Sequence, residues 1–301
     1  MRILLTGADG QLGRELRTRL AGRGEVLATT LGGDGADQAL DLANADAVMS
    51  LLHEFRPTMI FNAAAYTAVD RAESEPELAQ RVNARAPELM ASWAADADAG
   101  LVHFSTDYVF DGRKASPYLE TDQVHPINRY GETKLAGEQA VQAAGCRYLI
   151  LRTSWVYASH GQNFLLKMLE LARTRDELSV VSDQVGRPTW AANLAHYAIA
   201  AVDGGLLDEP GLDSRLLHAA DAGACSWFEF SRLIFDTALS LGLLERVPEV
   251  REVGSDAFPS VAQRPASSVL GTGLLRERLG LEPATVKESV AACLGELINH
   301  E

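Results

Sequence analysis

The sequence predicts an α/β protein whose core is a doubly wound parallel sheet. Short apolar runs alternate with helical patterns along the first half of the chain, which is typical of parallel strands joined by crossover helices. The runs are apolar on both faces, so helices must cover the sheet on both sides. The predicted strands are residues 3–6, 26–29, 59–62, 101–105 and 148–152.

The composition is that of an ordinary globular protein. Its 301 residues are 47% hydrophobic, enough to bury the core of one large domain or of two closely joined ones. The formal net charge of -14 repels phosphate, which argues against broad affinity for nucleic acids or anionic membranes.

Three cysteines, Cys146, Cys225 and Cys293, lie far apart in the chain. They form neither a disulfide framework nor a CxxC pattern, and they favour a reducing compartment. The chain enters its first predicted strand at once, and its apolar runs are shorter than a membrane span. We therefore expect a cytoplasmic protein.

The later elements are less regular. A helix is predicted from about residue 75, with Pro76 at its first position, to just before Gly100. A second helix carries Tyr130 and Lys134 and ends near Gly145. Further along we expect a helix over residues 163–172, strands over 179–181 and 216–219, a helix over 227–241, an irregular segment over 251–268 and C-terminal helices.

A glycine-rich turn follows the first strand. Gly7, Gly10 and Gly13 stand where the next helix begins, so backbone can approach a pyrophosphate and helix N–H groups can point at it. The spacing differs from GxGxxG, and such a turn alone can simply connect a strand to a helix. Together with the motifs below, it predicts a Rossmann-type dinucleotide site.

The end of the second strand leaves the choice of cofactor open. Residues 28–33 contain neither an acid for a ribose diol nor an arginine for a 2′-phosphate, so we expect tolerance of both NADH and NADPH. Asp41 and Leu42 follow. Asp41 can cover the adenine or can cap a helix that begins at residue 43, and the two roles are compatible.

Small side chains close the third strand. Ala63, Ala64 and Ala65, followed by Tyr66 and Thr67, would let backbone pass close to a flat ligand at the carboxyl edge of the sheet. An alanine run can also reflect helix–sheet packing, but its position favours the cofactor.

A tyrosine and a lysine at helical spacing predict proton transfer. Tyr130 and Lys134 lie on one helix face, so the ammonium can stabilise the phenolate and lower the tyrosine pKa. Thr106 ends the fourth strand at the same edge, where its hydroxyl can polarise a carbonyl. A YxxxK match alone is weak, but four such features in this order are specific.

Three further residues are candidates for substrate contacts. Trp155 follows a strand end on the active edge, whereas isolated tryptophans elsewhere are usually core residues. Arg187 and Arg264 can grip a diphosphate with their planar guanidinium groups, or form ordinary surface ion pairs.

The change of rhythm after the fifth strand divides the chain. We place a dinucleotide-binding Rossmann domain at residues 1–153 and a smaller, mainly substrate-binding domain at residues 154–301. The composition of a linker is missing, so segments of the second domain are expected to return to the first sheet.

These residues resemble the extended short-chain dehydrogenase/reductases, and more closely the dTDP-4-dehydrorhamnose reductase family. The resemblance runs nearly end to end. It rests on residues 7–13, 62–73, 105–112, 126–134, 152–157, 183–189 and 264–265. The Ser-Thr-Asp-Tyr-Val-Phe string and the extended Tyr/Lys motif are the most specific parts.

The resemblance implies a reaction and its residues. The reaction would be reduction of the C4 keto group of a dTDP-linked 4-keto-6-deoxy sugar by NADPH or NADH. Tyr130 would act as acid, Lys134 would tune Tyr130 and hold the ribose, and Thr106 would polarise the carbonyl. The cofactor would also contact Gln11 and Leu12, and the sugar would contact Thr106, Asp107 and Trp155.

Some members of the family are magnesium-linked dimers that use acidic residues. Here Pro188-Thr189 is followed by Trp-Ala-Ala-Asn, which has no carboxylate, so we predict no metal. The same departure leaves a homodimer open.

Two alternatives remain at this point. A sister 4-ketoreductase of another deoxysugar pathway would share every motif, because pocket shape sets the stereochemistry at C4. A non-catalytic regulatory role is a different class, because the β subunit of methionine adenosyltransferase resembles the same branch.

Overall fold

The computed structural model describes residues 1–208 and 215–299 and has a seven-stranded parallel sheet at its centre. The strand order is β11-β6-β5-β4-β1-β2-β3. Its strands are β1 (Arg2–Thr6), β2 (Glu25–Thr30), β3 (Gln38–Ala39), β4 (Met59–Asn62), β5 (Gly100–Thr106), β6 (Arg147–Thr153) and β11 (Leu216–His218). All neighbours pair in parallel, as in a Rossmann-type sheet.

Helices cover the sheet on both faces, which confirms the predicted fold class. Apolar side chains of β1, β4, β5 and β6 enter two buried clusters, one on each face. The first cluster includes α1 (Gln11–Leu20), α8 (Ala191–Asp203) and α10 (Gly273–Leu279). The second includes α2 (Ala45–Phe55), α5 (Ala86–Asp96) and Val141 of α6 (Arg129–Ala143).

The helix predicted from residue 75 is more complex than expected. α3 (Val69–Ser74) ends at Glu75, and α4 (Pro76–Gln80) then runs through a π-helical turn, Arg81–Arg85, into α5. The extra residue per turn turns Asn83 inward, where it is 1% exposed. A π-helical turn often marks a functional position, and hydrophobic spacing does not reveal it.

The second structural unit is built on helices. Its core joins α7 (Phe164–Thr174), α9 (Trp227–Ser240) and α11 (Val286–Asn299) to β8 (Glu177–Val181). Three short strand pairs complete it: β8 with β13 (Glu249–Val253), β7 (Val156–Tyr157) with β10 (Thr189–Trp190), and β9 (Val185–Gly186) with β12 (Cys225–Ser226).

The expectation of an irregular segment over residues 251–268 is wrong at its start. β13 pairs in parallel with β8 from Glu249 to Val253. The strand is short, mostly exposed and rich in charge, so its pairing depends on the neighbouring strand rather than on a hydrophobic pattern.

Residues after 153 contribute to both units. β11 extends the parallel sheet beside β6, and α8 packs on α1. Trp155 and Arg187 lie in connections near β7 and β9, which places them where the second unit meets the sheet.

Candidate active site

A cavity of about 730 Å³ opens at the carboxyl ends of β1, β2, β4 and β5. It lies where the strand order reverses between β1 and β4, which is the expected ligand crevice of a doubly wound sheet. Most of the residues predicted for the cofactor line it: Gly7, Gly10, Gln11, Leu12, Asp41, Leu42, Ala63, Ala64, Ala65, Tyr66, Thr67, Tyr130 and Lys134.

The glycine turn has the shape that a dinucleotide requires. Gly7 has a φ of +67°, and a Cβ there would lie 2.8 Å from backbone atoms of Ala64. Gly13 stands behind the turn rather than in the cavity wall, and its Cβ would lie 1.9 Å from the Gly7 carbonyl oxygen. Side chains are therefore excluded where the turn after β1 meets the end of β4.

The start of α1 favours an anion. Its cap, Gly10, has no side-chain hydrogen bond, and the first turn contains no acidic residue. The first N–H groups of a helix carry partial positive charge, and here they face the cavity. These features fit the diphosphate of a nicotinamide dinucleotide.

A hydrogen-bond network fixes the crevice between β1 and β4. The Thr6 hydroxyl donates to Asn62 Oδ1 at 2.7 Å, and the Ala64 N–H donates to Thr6 Oγ1 at 3.3 Å. Asn62 Nδ2 contacts His103 Nδ1 at 3.1 Å on β5. The three strand ends are thus held in register at the bottom of the cavity.

Asp41, at the far end of the cavity, does not cap a helix, which was one of its two expected roles. Asp41 lines the cavity, but its Oδ1 accepts from the Ala43 N–H at 2.8 Å in a local turn. α2 is instead capped by Asn44, which accepts from Ala47. Asp41 is therefore not the helix cap, because the helix begins at Ala45.

Asn83 is a site residue that the sequence did not indicate. From the π-helical turn its Oδ1 accepts from the Tyr66 N–H at 2.8 Å, and its Nδ2 donates to the Tyr66 carbonyl at 3.0 Å. The same amide donates to Thr133 Oγ1 at 3.1 Å. The loop that lines the cavity is thereby tied to α6, which carries Tyr130 and Lys134.

Other cavity residues were also missed: Thr30, Arg71, Thr153 and Gln162. Thr30 and Thr153 end strands β2 and β6, so position at the carboxyl edge was a signal that could have indicated them. Arg71 gave no such signal, since it is a helix residue that also pairs with Glu75 at 2.7 Å.

Tyr130 and Lys134 both face the cavity from α6. α6 begins at Arg129 because Asn128 caps it, accepting from the Gly131 N–H at 2.8 Å. Burial raises the pKa of Tyr130 strongly, and a hydrogen bond with Thr106 opposes that rise. The phenol is therefore protonated at neutral pH, as an acid must be.

Lys134 makes its hydrogen bond to the central sheet. Its Nζ donates to the Phe104 carbonyl oxygen at 2.6 Å, and the charges that act on the Tyr130 pKa are those of Asp107 and Tyr108. Burial lowers the pKa of Lys134 to about 8. The ammonium is thus bound by β5, and the tuning of the Tyr130 pKa by Lys134 stays a prediction.

Thr106 and Asp107 lie next to the phenol. The Thr106 hydroxyl donates to Asp107 Oδ1 at 3.1 Å and accepts from the Tyr108 N–H at 3.2 Å. Both residues are at most 5% exposed, and burial raises the pKa of Asp107 to about 7. Neither residue belongs to the wall of the 730 Å³ cavity, so the candidate sugar contacts are separate from the cofactor contacts.

Trp155 is held in an unusual conformation. Its φ is +48°, and its ring stacks on Trp227 at 3.5 Å between centroids with planes 4° apart. A Cβ on Gly186 would lie 2.5 Å from the Trp155 ring, so only glycine fits beneath it. Strained backbone of this kind is often found at ligand sites.

The two candidate arginines differ in their partners. Arg187 Nη1 donates to Thr272 Oγ1 at 3.0 Å, and burial lowers its pKa. Arg264 Nη2 pairs with Asp70 Oδ2 at 2.9 Å, which joins the C-terminal part of the chain to α3. Arg264 therefore has a structural partner that the sequence did not predict.

Within residues 1–208 and 215–299, no group of three or more histidine, cysteine, aspartate or glutamate side chains could hold a metal ion. None of the helices described in those ranges is long and apolar enough to span a membrane.

Comparisons with known proteins agree with this geometry. The family model described as RmlD substrate binding domain matches residues 1–299. The dTDP-4-dehydrorhamnose reductase of Escherichia coli K12 is 41% identical over 297 residues, covering 99% of this chain and 98% of the relative.

Two solved structures are similar over nearly their whole length. A dTDP-4-dehydrorhamnose reductase of Clostridium acetobutylicum has a TM-score of 0.89 at 38% identity and covers 99% of this chain and 100% of its own. That of Bacillus anthracis, solved in complex with NADP, has a TM-score of 0.85 at 35% identity and covers 98% and 99%.

Proposed function

This chain belongs to the dTDP-4-dehydrorhamnose reductase family, and we propose that it reduces the C4 keto group of dTDP-4-dehydro-L-rhamnose to give dTDP-L-rhamnose. NADPH or NADH is the reductant, in keeping with the NADP complex of the Bacillus anthracis relative. The observation that carries the proposal is the meeting of Tyr130 and Lys134 with the glycine turn in one cavity at the switch point of the sheet.

The residues of this chain have distinct roles in the reaction. When bound, the reduced nicotinamide supplies the hydride. Tyr130 donates its phenolic proton to the alkoxide oxygen that forms at C4, and Thr106, hydrogen-bonded beside it, polarises the carbonyl through its hydroxyl. Lys134 supplies the positive charge of the same pocket and holds the ribose.

The protonation states support this direction of proton transfer. Burial raises the pKa of Tyr130, so the phenol holds the proton that the alkoxide forming beside it receives. Thr106 donates to Asp107, so its hydroxyl must turn to polarise the substrate carbonyl.

Asp107, Trp155 and Arg187 are proposed as substrate contacts. The Trp155–Trp227 stack offers a rigid aromatic face, and Arg187 has a partly buried guanidinium beside the same connections. Binding of the nucleotide part away from C4 supplies energy that orients the keto sugar.

The direct test is oxidation of NADPH, and then of NADH, followed at 340 nm with dTDP-4-keto-6-deoxy-L-mannose made in situ. We expect rapid oxidation and dTDP-L-rhamnose as the product by NMR. A different C4 epimer would assign the chain to a sister ketoreductase. Tight dinucleotide binding without turnover of any keto sugar, with a stoichiometric protein partner, would favour a regulatory role.

Tyr130→Phe tests the acid. Removing the phenolic proton should lower kcat about 10²–10⁴-fold, the range for general acid catalysis, while NADPH affinity changes little. Tyr108→Phe is the matched control, because its ring lies 5.7 Å from that of Tyr130 and its hydroxyl has no catalytic role in this mechanism. Full activity of Tyr130→Phe would refute the mechanism.

We further propose a cytoplasmic location, where the reduced cofactor is available. Sedimentation of the purified protein would measure whether it assembles as a homodimer. The values of kcat/KM with NADPH and with NADH should lie within about tenfold of each other. The reason is that the end of β2 presents only neutral residues to the cavity: Thr29, Thr30 and Leu31.

A further inference from the structure

Lys134 and Glu138 are two charged residues buried on one face of α6. They lie one helical turn apart, and they are 2% and 1% exposed. Lys134 faces the cavity, whereas Glu138 lies behind it, outside the cavity wall. A role for Glu138 in the reaction rests on the function proposed above for Lys134.

Glu138 is fixed by two residues of the central sheet. Arg152 of β6 donates from Nε to Oε1 at 2.9 Å and from Nη2 to Oε2 at 2.7 Å. The Ser105 hydroxyl of β5 also donates to Oε1. Two of these three hydrogen bonds come from one guanidinium, so Glu138 forms a buried bidentate ion pair with Arg152.

The Lys134 ammonium needs a negative charge such as that of Glu138. Its hydrogen bond goes to the neutral Phe104 carbonyl, and burial of an ammonium favours the uncharged amine. Burial indeed lowers the pKa of Lys134 to about 8, and the charge of Glu138 opposes that fall.

The other titratable groups around Lys134 do not replace Glu138. His103 on β5 is fully buried with its pKa well below the ordinary value, so it is neutral, and the charge of Lys134 helps to keep it so. Tyr130 on α6 is a protonated phenol. Arg152 on β6 is a cation, and His218 beyond it is neutral because burial lowers its pKa to about 3.

We propose that Glu138 is a positioning residue of the reductase site: clamped by Arg152 and Ser105, it is the counter-charge of the Lys134 ammonium. Glu138 itself touches neither cofactor nor substrate. Its function is to keep Lys134 cationic at neutral pH, when the ammonium is required beside Tyr130 and the ribose.

The charge state of Lys134 can be measured directly, because the sequence contains only four lysines: Lys114, Lys134, Lys167 and Lys287. The full chain labelled with [13Cε]lysine should give four NMR signals, and Lys134→Met identifies the signal of interest. We expect that signal to titrate near pH 8, well below the ordinary range of a lysine.

Glu138→Gln keeps the shape of the side chain and removes its charge. The Lys134 signal should then titrate about one pH unit or more lower than in the wild type. Glu138→Gln can fail to fold, since it leaves Arg152 unpaired, so Glu138→Gln/Arg152→Gln is the second variant. It also removes the Arg152 cation, whose loss favours the ammonium, so the Lys134 signal should shift in the same direction by a smaller amount.

Ser105→Ala is the matched control, because it removes one hydrogen bond of the network and keeps both charges. Its Lys134 signal should titrate within about 0.3 pH unit of the wild type. An unchanged Lys134 titration in the folded double variant would overturn the proposal, as would an equal shift in Ser105→Ala.

Kinetics supply a second readout. The basic limb of the pH profile of kcat/KM should move to lower pH in Glu138→Gln by the same amount as the NMR titration, whereas a purely structural defect would lower activity at every pH. The NMR experiment needs no substrate. A shifted Lys134 without turnover of the keto sugar would therefore refute the proposed function and leave the role of Glu138 intact.

Discussion

Asp107 is a carboxyl group in a place that disfavours its charge. It is 2% exposed and follows directly after β5. Thr106 and Ser268 lower its pKa, but burial outweighs them and raises it to about 7. Near neutral pH, a small change in its surroundings can therefore switch Asp107 between hydrogen-bond donor and acceptor.

Asp107→Asn should stabilise the protein increasingly as the pH rises from 4 to 8. The folded pKa is raised above the unfolded value, so wild-type stability is full below pH 4 and falls as pH rises toward 7. At pH 8 the amide should raise the free energy of unfolding by about 2 kcal/mol relative to wild type, and at pH 4 by much less. Urea unfolding at the two pH values measures this.

Asp111→Asn is a control of opposite sign. Asp111 accepts from the Tyr118 hydroxyl at 2.7 Å, and this hydrogen bond holds its pKa below the ordinary value. Its substitution should destabilise the protein at pH 8, and the effect should shrink as pH falls. If Asp107→Asn behaved in the same way, the Asp107 carboxylate would be stabilised rather than strained by its surroundings.

At this scale the sequence predicted which residues lie in the site, but it did not predict their hydrogen-bond partners. The spacing of Tyr130 and Lys134 placed both on one face of α6, and the structure has them in one cavity. The partner of Lys134 is a carbonyl oxygen of β5, thirty positions earlier in the chain. Spacing along a helix contains no information about a strand that packs against it.

At the scale of elements, the junction of β1 and α1 depends on Gly13. The helix approaches the turn so closely that any Cβ at Gly13 would lie 1.9 Å from the Gly7 carbonyl oxygen. Gly13→Ala should therefore destabilise the protein by about 1–3 kcal/mol, as overpacking does, because backbone rather than a side chain must move. NADPH affinity should fall at least about tenfold, since the turn itself is displaced.

Gly295→Ala is the matched control for this substitution. Gly295 lies inside α11, where a Cβ would meet no atom within 4 Å. Alanine should raise stability by up to about 1 kcal/mol through helix propensity and leave NADPH binding unchanged. Urea unfolding and fluorescence titration with NADPH test both variants. Normal cofactor affinity in Gly13→Ala would show that the turn tolerates the displacement.

Elements with strong local patterns were predictable, and those fixed by distant partners were not. β4 was predicted at its observed bounds because three of its four residues are apolar, and α6 was predicted from the helical spacing of Tyr130 and Lys134. The π-helical turn at Arg81–Arg85 exists because Asn83 must reach Tyr66 and Thr133, contacts that lie 17 and 50 positions away. β13 likewise depends on β8.

At the scale of the whole molecule, the C-terminal half crosses back to the sheet. β11 pairs with β6 through only three residues, Leu216 to His218. The sequence predicted that later segments return to the sheet, but it did not predict where. Strand order is set by long-range packing, so the sequence indicated a strand over residues 216–219 but not its place beside β6.

A second crossing brings residues 262–264 to α3. Asp70 accepts from the Ala262 N–H at 3.1 Å and pairs with Arg264 at 2.9 Å, while Asn128 donates to the Gln263 carbonyl at 2.8 Å. The segment thus joins the second unit to the start of α6, close to Tyr130. We expect it to act as a latch that sets the width of the substrate site.

Asp70→Asn and Arg264→Gln should each raise KM for the nucleotide sugar several-fold with little change in kcat. Their double variant should be no worse than either, because both break one interaction. Stability should change by less than about 1 kcal/mol, since the pair is partly exposed. Arg251→Gln, which breaks exposed pairs with Glu177 and Glu249, is the control and should leave KM unchanged.

The KM values of Asp70→Asn and Arg264→Gln, compared with each other, also show whether Arg264 acts through Asp70 or binds the diphosphate directly. A latch requires both partners equally, so the two single variants should match in KM. A guanidinium that gripped the diphosphate directly would make Arg264→Gln far worse than Asp70→Asn, and Asp70→Asn would then strengthen binding by freeing the cation. Arg264 already has a carboxylate partner, so the molecule as described favours the matched result, which steady-state kinetics at fixed NADPH would measure.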